Sequence, residues 1–377
     1  MDELPRDLVG EIARHLSLKE KCRLRLVSKE LKAKLDGNVA VWKTESPIAK
    51  QRVLQAACQR GDLSRAQWIV KKFILTADDA RAGDNRALQQ ACACGHLELV
   101  QWLVKHFGLT ADDARANDNG ALCQACMNGH LELVQWLVER FELTAADART
   151  DDNYALRRAC ARGHLEFARW LVERFELTAD DARARDNGAL HGACANGHLE
   201  LVKWLVKRFK LMAADARANF ALRVACTGGH LELAKWLAEH FELTAADARA
   251  DSNEALRRAC KNGHLEVVKW LVERFKLTAA DARACNNWAL RWACVNGHLE
   301  LVKWLVERFE LTSADARVDD NDALREACAN GHLELAKWLV EYFKLTATDA
   351  RANNNDALRQ ASARGHQEVV QWLATIN

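Results

Sequence analysis

The chain has 377 residues, with 54 Lys and Arg against 52 Asp and Glu and a formal net charge of +2. A nearly neutral chain lacks the basic field that holds phosphates, so its charge argues against nucleic-acid binding. It contains only two prolines and many Ala, Leu, Glu, Lys and Arg residues. This composition favours an all-α protein over a collagen-like, low-complexity or linker-rich one.

The first residues and the cysteines indicate a cellular compartment. Acidic residues precede any apolar run in residues 1–16, and no small-residue cleavage site follows, so this segment is not typical of a secretory signal. No stretch of the sequence approaches the roughly 18 uncharged apolar residues that a transmembrane helix needs. Thirteen cysteines without a secretory signal indicate a reducing compartment. We therefore expect a cytoplasmic or nuclear protein with no membrane contact.

Residues 1–46 have a pattern of their own. Leu8, Ile12 and Leu16 recur every four residues, which predicts one apolar face of a helix that starts near Pro5. Ser17 can cap a second short helix, and a third follows it. Three short helices in about 40 residues bury little apolar area, so they need a partner to pack against.

The order of apolar residues in this segment, from Leu4-Pro5 through Leu24-Arg25-Leu26-Val27-Ser28 to Trp42, resembles an F-box. The resemblance implies docking to the Skp-type adaptor of a cullin–RING ubiquitin ligase. By that analogy, seven residues supply the apolar contact: Leu4, Pro5, Leu8, Ile12, Leu24, Val27 and Leu31. The alternative is a helical cap that only shields the first repeat of the following domain.

From residue 47 to the end of the sequence, one unit recurs ten times. Each copy carries a glycine, spaced by 34 residues except for 32 between Gly197 and Gly229. A tryptophan stands seven residues after each glycine, at Trp68, Trp102, Trp136, Trp170, Trp204, Trp236, Trp270, Trp304, Trp338 and Trp372. A cofactor or carbohydrate site would not need ten copies, so we expect these tryptophans to pack in the core.

Each copy predicts two helices. Small and apolar residues within Ala255–Cys260 share one narrow helix face, which lets a neighbouring helix approach closely. Asn253, and its counterparts Asn153 and Asn287, stand where an N-cap is expected. After Gly263 the second helix is apolar over more than half its circumference, so it must lie between neighbouring copies.

This unit resembles the ankyrin repeat, over roughly residues 47–377. It departs from that family in three places. Glu254-Ala255-Leu256-Arg257 replaces the family's Thr-Pro-Leu-His start. Phe275 replaces the glycine that ends the second helix. Thr278 and Asp281 have the spacing of a capping box, which predicts a short helical turn where the family has a β-hairpin. The expected fold is an all-α, ankyrin-like helical solenoid with a three-helix F-box-like cap and little or no β structure.

Recurring Cys and His residues do not predict a metal or catalytic site. The motif Cys-x-x-Gly-His recurs, for example at Cys260 to His264. Stacked helices lie about 8–10 Å apart, so equivalent residues of successive repeats cannot share one zinc ion. Nine identical nucleophiles would make no catalytic sense either. We expect a buried thiol and an imidazole that braces the turn, with no cofactor, no metal and no catalytic residue.

Five arginines at one repeat position suggest nucleic acid at first sight: Arg223, Arg257, Arg291, Arg325 and Arg359. Residues 47–377 carry equal numbers of basic and acidic residues, which argues against this. We expect the arginines to pair with Asp side chains of neighbouring short turns.

Variation between copies is concentrated nine and five residues before each glycine. These positions lie one helical turn apart, opposite the Ala-Leu/Ala-Cys face, and a constant scaffold with one varied stripe is typical of a binding surface. Its candidate residues are Tyr154, Arg158, Phe220, Val224, Glu254, Arg258, Trp288 and Trp292. The alternative is sequence drift on an unconstrained face. Trp288 and Trp292 argue against drift, and we expect them to be exposed, with little effect on thermal stability when replaced.

These patterns predict a non-enzymatic, monomeric adaptor. An F-box at 1–46 would dock a Skp-type adaptor of a cullin complex, and ten repeats at 47–377 would present a protein target, with no nucleic acid or membrane partner. The alternative is a scaffold that binds and sequesters its target without ubiquitination, with the N-terminal helices acting only as a cap.

Overall fold

The computed structural model describes residues 47–216 and 218–376, and these form helices and connecting turns without any strand. The expected all-α fold is confirmed, including the loss of the β-hairpins. The seven residues expected to contact the adaptor lie outside the described residues: Leu4, Pro5, Leu8, Ile12, Leu24, Val27 and Leu31.

The chain divides into two compact units between Ala125 and Cys126. Up to the division lie α1 Pro47–Arg60, α2 Leu63–Phe73, α3 Ala77–Ala93, α4 Leu97–Phe107 and most of α5 Ala111–Met127. The second unit begins with α6 Leu131–Phe141, α7 Ala145–Ala161, α8 Leu165–Arg174, α9 Ala179–Ala195, α10 Leu199–Phe209, α11 Ala213–Ala216, α12 Ala218–Thr227 and α13 Leu231–His240.

It continues with α14 Ala245–Ala248, α15 Ala250–Lys261, α16 Leu265–Phe275, α17 Ala279–Ala282, α18 Ala284–Val295, α19 Leu299–Arg308 and α20 Ser313–Ala316. Its last helices are α21 Val318–Ala329, α22 Leu333–Phe343, α23 Ala347–Ala350, α24 Ala352–Ala363 and α25 Gln367–Thr375. Within this unit the first helices of consecutive repeats, such as α15 and α18, pack against each other.

The core follows the predicted helix faces. In α15, Ala255, Leu256, Ala259 and Cys260 are at most 5% exposed. In α16, Val267, Val268, Leu271, Val272 and Phe275 are all buried. The small residues bring first helices together, and the branched residues of the second helix fill the space beneath them.

The expectation that the tryptophans pack in the core is wrong. Trp204 is half-buried, and Trp68 is 45% exposed. Phe209, five residues after Trp204, is buried, and their rings meet edge to face with centroids 6.2 Å apart. The core position at the end of the second helix belongs to the phenylalanine, which leaves the indole at the border between core and solvent.

The asparagines predicted to be N-caps, Asn153, Asn253 and Asn287, are not N-caps. Asp251, Ser252 and Asn253 have φ of 52°, 58° and 61°, so the chain makes a left-handed turn here, whereas an N-cap residue is typically extended. Asp and Asn tolerate this conformation better than most residues. The buried Asn287 side chain instead reaches the next repeat, where its Nδ2 donates to the Asp315 carbonyl oxygen at 3.1 Å.

The predicted capping box is confirmed and has a second role. Thr278 donates to the Asp281 carboxylate through its backbone N–H at 2.8 Å and its hydroxyl at 3.1 Å, which starts α17. Arg249, from the preceding connection, donates to both carboxylate oxygens of Asp281 at 2.7 and 3.0 Å. The same contact recurs between Arg81 and Asp113, Arg149 and Asp181, Arg283 and Asp315, and Arg317 and Asp349. This arginine row, which the sequence analysis did not identify, ties consecutive repeats together.

The histidine that follows the glycine in repeats such as the seventh braces a turn, as expected, but the turn belongs to the preceding repeat. His264 donates from Nε2 to the Thr227 carbonyl oxygen at 3.0 Å. Its ring lies against Gly229, where a Cβ atom would be 2.6 Å from Nδ1, and Gly229 has φ of +77°. A side chain at Gly229 would therefore both strain the backbone and displace the ring.

Candidate partner-binding surface

The variable stripe lies in the first helices of repeats four and six to eight, within the second unit. Its members are all at least partly accessible: Arg158 and Arg258 are exposed, and Tyr154, Phe220, Val224, Glu254, Trp288 and Trp292 are half-buried. The opposite faces of these helices, such as Ala289, Leu290, Ala293 and Cys294 in α18, are buried. The repeats thus hold the stripe at the surface on a packed scaffold.

Trp288 and Trp292 form a pair on α18, with ring centroids 5.2 Å apart. The preceding repeat places a cation on each ring: the Arg257 guanidinium carbon is 4.6 Å from the Trp288 centroid, and the Lys261 Nζ is 4.0 Å from that of Trp292. Such contacts contribute about 0.5–1 kcal/mol each at accessible sites. The indoles stay out of the core but are not freely exposed, so their replacement should affect stability more than we expected from the sequence.

Glu254 lies between two arginines. Its carboxylate accepts from Arg258 at 2.6 Å and from Arg223, in the preceding repeat, at 2.5 Å. Partial burial acts to raise the pKa of Glu254, but the hydrogen bond from Arg258 and the charges of both arginines lower it overall. Arg257 and Lys261 make no ion pair with a carboxylate in the described part of the chain, although the charge of Arg257 also helps to lower the pKa of Glu254.

The other aromatic residues of the stripe also have an arginine against the ring, but here it comes from the same helix. The guanidinium carbon of Arg158 lies 4.8 Å from the Tyr154 centroid, and that of Arg223 lies 4.7 Å from the Phe220 centroid. The His191 ring contacts Phe220 from the preceding repeat, at 4.2 Å between centroids. Each aromatic side chain of the stripe therefore presents a cation beside an apolar edge.

The predicted pairing of the recurring arginines holds for only part of the row. Arg223 pairs with Asp251 at 2.6 Å, and Arg291 pairs with Asp319 at 2.7 Å, in both cases across to the next repeat. Arg257 donates to backbone carbonyls instead. Arg325 and Arg359 pair with aspartates of their own helices, Asp322 and Asp356, and Arg325 also lies 4.0 Å from Asp356 in the next repeat.

The recurring cysteines are packing residues in the described repeats. Burial raises the pKa of the Cys58 and Cys194 thiols to about 12, so they remain protonated and unreactive near neutral pH. Among the described residues, no group of three or more His, Cys, Asp or Glu side chains could hold a metal ion. In the same residues, no helix is both long and apolar enough to cross a membrane.

The stacked helix pairs define a helical repeat protein. A family model for ankyrin repeats, in three copies, matches residues 53–151, 109–181, 156–247, 190–283, 222–315 and 290–377, so the chain belongs to the ankyrin-repeat family. A model of the F-box domain matches residues 1–38, and the chain is thus an F-box protein with ankyrin repeats. Both are non-catalytic domains that bind proteins. No curated protein matches the chain.

Proposed function

We propose that this protein recruits substrates to a cullin–RING type ubiquitin ligase. The observation that carries the proposal is the F-box match at residues 1–38 in the same chain as a repeat array with an accessible, variable stripe. The F-box would dock the Skp-type adaptor, and the repeats would hold the target. Ubiquitin transfer would occur on other subunits, so this chain contributes proximity rather than catalysis.

The proposal divides the chain at residue 46. Residues 1–46 bind the adaptor through Leu4, Pro5, Leu8, Ile12, Leu24, Val27 and Leu31, and residues 47–377 form the target-binding domain. We place the target on the stripe that contains Tyr154, Arg158, Phe220, Val224, Glu254, Arg258, Trp288 and Trp292. One adaptor site and one target surface per chain require only a monomer.

The cysteines support a reducing compartment, the cytoplasm or nucleus. All twelve cysteines of the described part are free thiols, and ten of them are buried. Cys94 and Cys285 are exposed, and such thiols persist where disulfides are kept reduced.

Co-purification with a Skp-type adaptor tests the proposal. Ile12→Asp puts a carboxylate on the predicted apolar face, where burial of a charge without a partner is strongly unfavourable. We expect this variant and a chain without residues 1–46 to lose the adaptor. Arg14→Asp, on the opposite face of the same predicted helix, is the matched control and should retain it. Adaptor binding that survives both Ile12→Asp and the deletion would overturn the proposal.

Sequestration of the target, with residues 1–46 as a cap only, is the competing outcome. In that case the adaptor would not co-purify, and removal of residues 1–46 would lower the thermal stability of the repeats. Under our proposal, the repeats keep their circular dichroism spectrum when the adaptor is lost.

A further inference from the structure

The cluster of Arg257, Lys261, Trp288 and Trp292 has an unusual charge balance for a repeat surface. Its two cations lie on the indoles and have no carboxylate partner in the described part of the chain. At the position of Arg257, the arginines of the two adjacent repeats do pair with carboxylates, Arg223 with Asp251 and Arg291 with Asp319. Arg257 also donates to two backbone carbonyls, but neither cation has a carboxylate partner among the described residues, so the cluster is both electropositive and apolar.

The surrounding stripe has the same sign of charge. The segments that lead into and form the first helix in repeats four to eight are 151–162, 185–196, 218–228, 251–262 and 285–296. Together they carry nine Arg or Lys residues against five Asp or Glu residues. Repeat nine reverses this, with Asp319, Asp320, Asp322 and Glu326. The basic region is therefore bounded at one end by acidic residues.

We propose that this cluster anchors an acidic segment of the protein target, in which a large apolar side chain adjoins one or more carboxylates. The carboxylates would pair with Arg257 and Lys261, and the apolar side chain would pack against the indole edges. Charge complementarity of this kind gives specificity and faster association, and buried Trp and Arg contacts supply much of the affinity at interfaces. The inference rests on the proposed function only in taking the stripe as the target surface.

Single-stranded nucleic acid fits the cluster less well. Base stacking needs open ring faces, but each indole already has a cation against its ring and the other indole beside it. A phosphate backbone that followed the stripe would also meet the carboxylates of repeat nine. A peptide, in contrast, would need to contact only the cluster of Arg257, Lys261, Trp288 and Trp292.

Selection from a displayed library of random peptides of about 12 residues tests the inference on the full chain. Selected peptides are then measured by fluorescence polarisation against the unmodified chain and against Arg257→Glu/Lys261→Glu. The matched control is Lys269→Glu/Lys303→Glu, which makes the same change in net charge on the second helices of the same repeats. Arg257→Gln/Lys261→Gln replaces the glutamate variant if melting followed by circular dichroism shows that the latter unfolds.

We expect selected peptides to combine Asp or Glu with Trp, Phe or Leu. Their affinity should fall by about tenfold or more in the Arg257/Lys261 variant and in Trp288→Ser/Trp292→Ser, and should be unchanged in the control. It should also weaken as salt rises from about 50 to about 300 mM.

Four outcomes would overturn the inference: no enrichment over bare support, peptides without net negative charge, equal losses in the test and control variants, or displacement of the peptides by a single-stranded oligonucleotide. Adaptor co-purification is measured in parallel on the same variants. Peptide binding without adaptor binding would refute the recruiting role and leave the anchor standing, and the reverse result would refute the anchor alone.

Discussion

Trp204 and Phe209 lie five residues apart on α10, and they are buried to different extents. The phenylalanine is 5% exposed, whereas the tryptophan remains half-buried and contributes mainly an edge-to-face contact with it. Ring pairs of this kind are worth about 0.5–1.5 kcal/mol beyond the area they bury. Of the two aromatic residues in this pair, the phenylalanine therefore contributes more to the free energy of unfolding.

We predict that Phe209→Ala lowers the free energy of unfolding by about 3–5 kcal/mol, as large-to-small core substitutions do. Trp204→Ala should cost about 1–2 kcal/mol, because the indole gives up the ring contact and only part of its buried area. Unfolding in urea, followed by circular dichroism, measures both. If Trp204→Ala lowered the free energy of unfolding as much as Phe209→Ala does, the indole would have to be packed in the core.

Asp315 shows how one carboxylate serves two repeats. It accepts from Arg283 at 2.6 and 3.0 Å and from the backbone N–H and hydroxyl of Thr312. The hydrogen bond from Arg283, helped by those from Thr312 and opposed by burial, lowers the pKa of Asp315 to about 2. The unfolded carboxyl group titrates near its ordinary pKa of about 3.9.

A depressed folded-state pKa means that this stabilisation is complete above about pH 4 and is lost as the pH falls through about 2. We predict that Asp315→Asn lowers the urea midpoint at pH 6 and that its difference from the unmodified chain shrinks between pH 4 and pH 2. Asp320→Asn, at an exposed position, is the control and should show neither effect. A difference that stays constant over this range would contradict the role of the ionised carboxylate.

In the seventh to tenth repeats, a left-handed turn joins the short helix to the next first helix. Near the start of α18, Cys285, Asn286 and Asn287 have φ of 54°, 57° and 54°, so the regular helix begins after them. A left-handed residue with a Cβ atom costs about 1–2 kcal/mol, and Asn and Asp reduce this by local hydrogen bonding, whereas glycine avoids it. The polar residues of this segment are therefore selected by backbone conformation.

Asn286 is exposed, so substitutions there report on the backbone. We predict that Asn286→Gly is neutral or slightly stabilising and that Asn286→Ala destabilises by about 1 kcal/mol relative to glycine. Thermal melting of the two variants gives the comparison. Helical geometry at residue 286 would instead make alanine the more stable of the two, because glycine disfavours helices.

At the scale of the whole molecule, histidines connect repeats within each unit. His96 donates to the Gln59 carbonyl in the first unit, and His198, His230, His298 and His332 make the equivalent contact in the second. Burial lowers the pKa of His264, and the neighbouring His230 and His298 lower it further, although the hydrogen bond to Thr227 acts in the opposite direction. The pKa of His164 is also lowered by burial, and the nearby His130, His198 and Arg162 lower it further.

A lowered histidine pKa in the folded chain makes the unfolded chain bind more protons, so stability falls as the pH drops below about 6.5. We predict a lower urea midpoint at pH 5.5 than at pH 7.5. His164→Gln/His264→Gln should be less stable at pH 7.5 but should lose less on acidification. An equal or steeper loss in the double variant would assign the pH dependence to other groups.

The sequence by itself determined the repeat, its two helices, the buried Ala-Leu/Ala-Cys face, the capping box at Thr278 and Asp281, and the absence of the hairpin. These features depend on residues within one or two helical turns, where spacing fixes which side chains share a face. The F-box resemblance likewise came from the order of apolar residues and was matched at residues 1–38.

Only the tertiary structure decided where the recurring polar and aromatic residues point. Arg249 meets Asp281 across 32 residues, and His264 meets the Thr227 carbonyl across 37. Which of Trp204 and Phe209 is buried, and which cations lie on Trp288 and Trp292, also depends on how successive repeats are offset when they stack. Local periodicity predicts which face of its helix a residue lies on. It does not predict the offset between repeats, because each residue of a contacting pair fits its own helix at any offset.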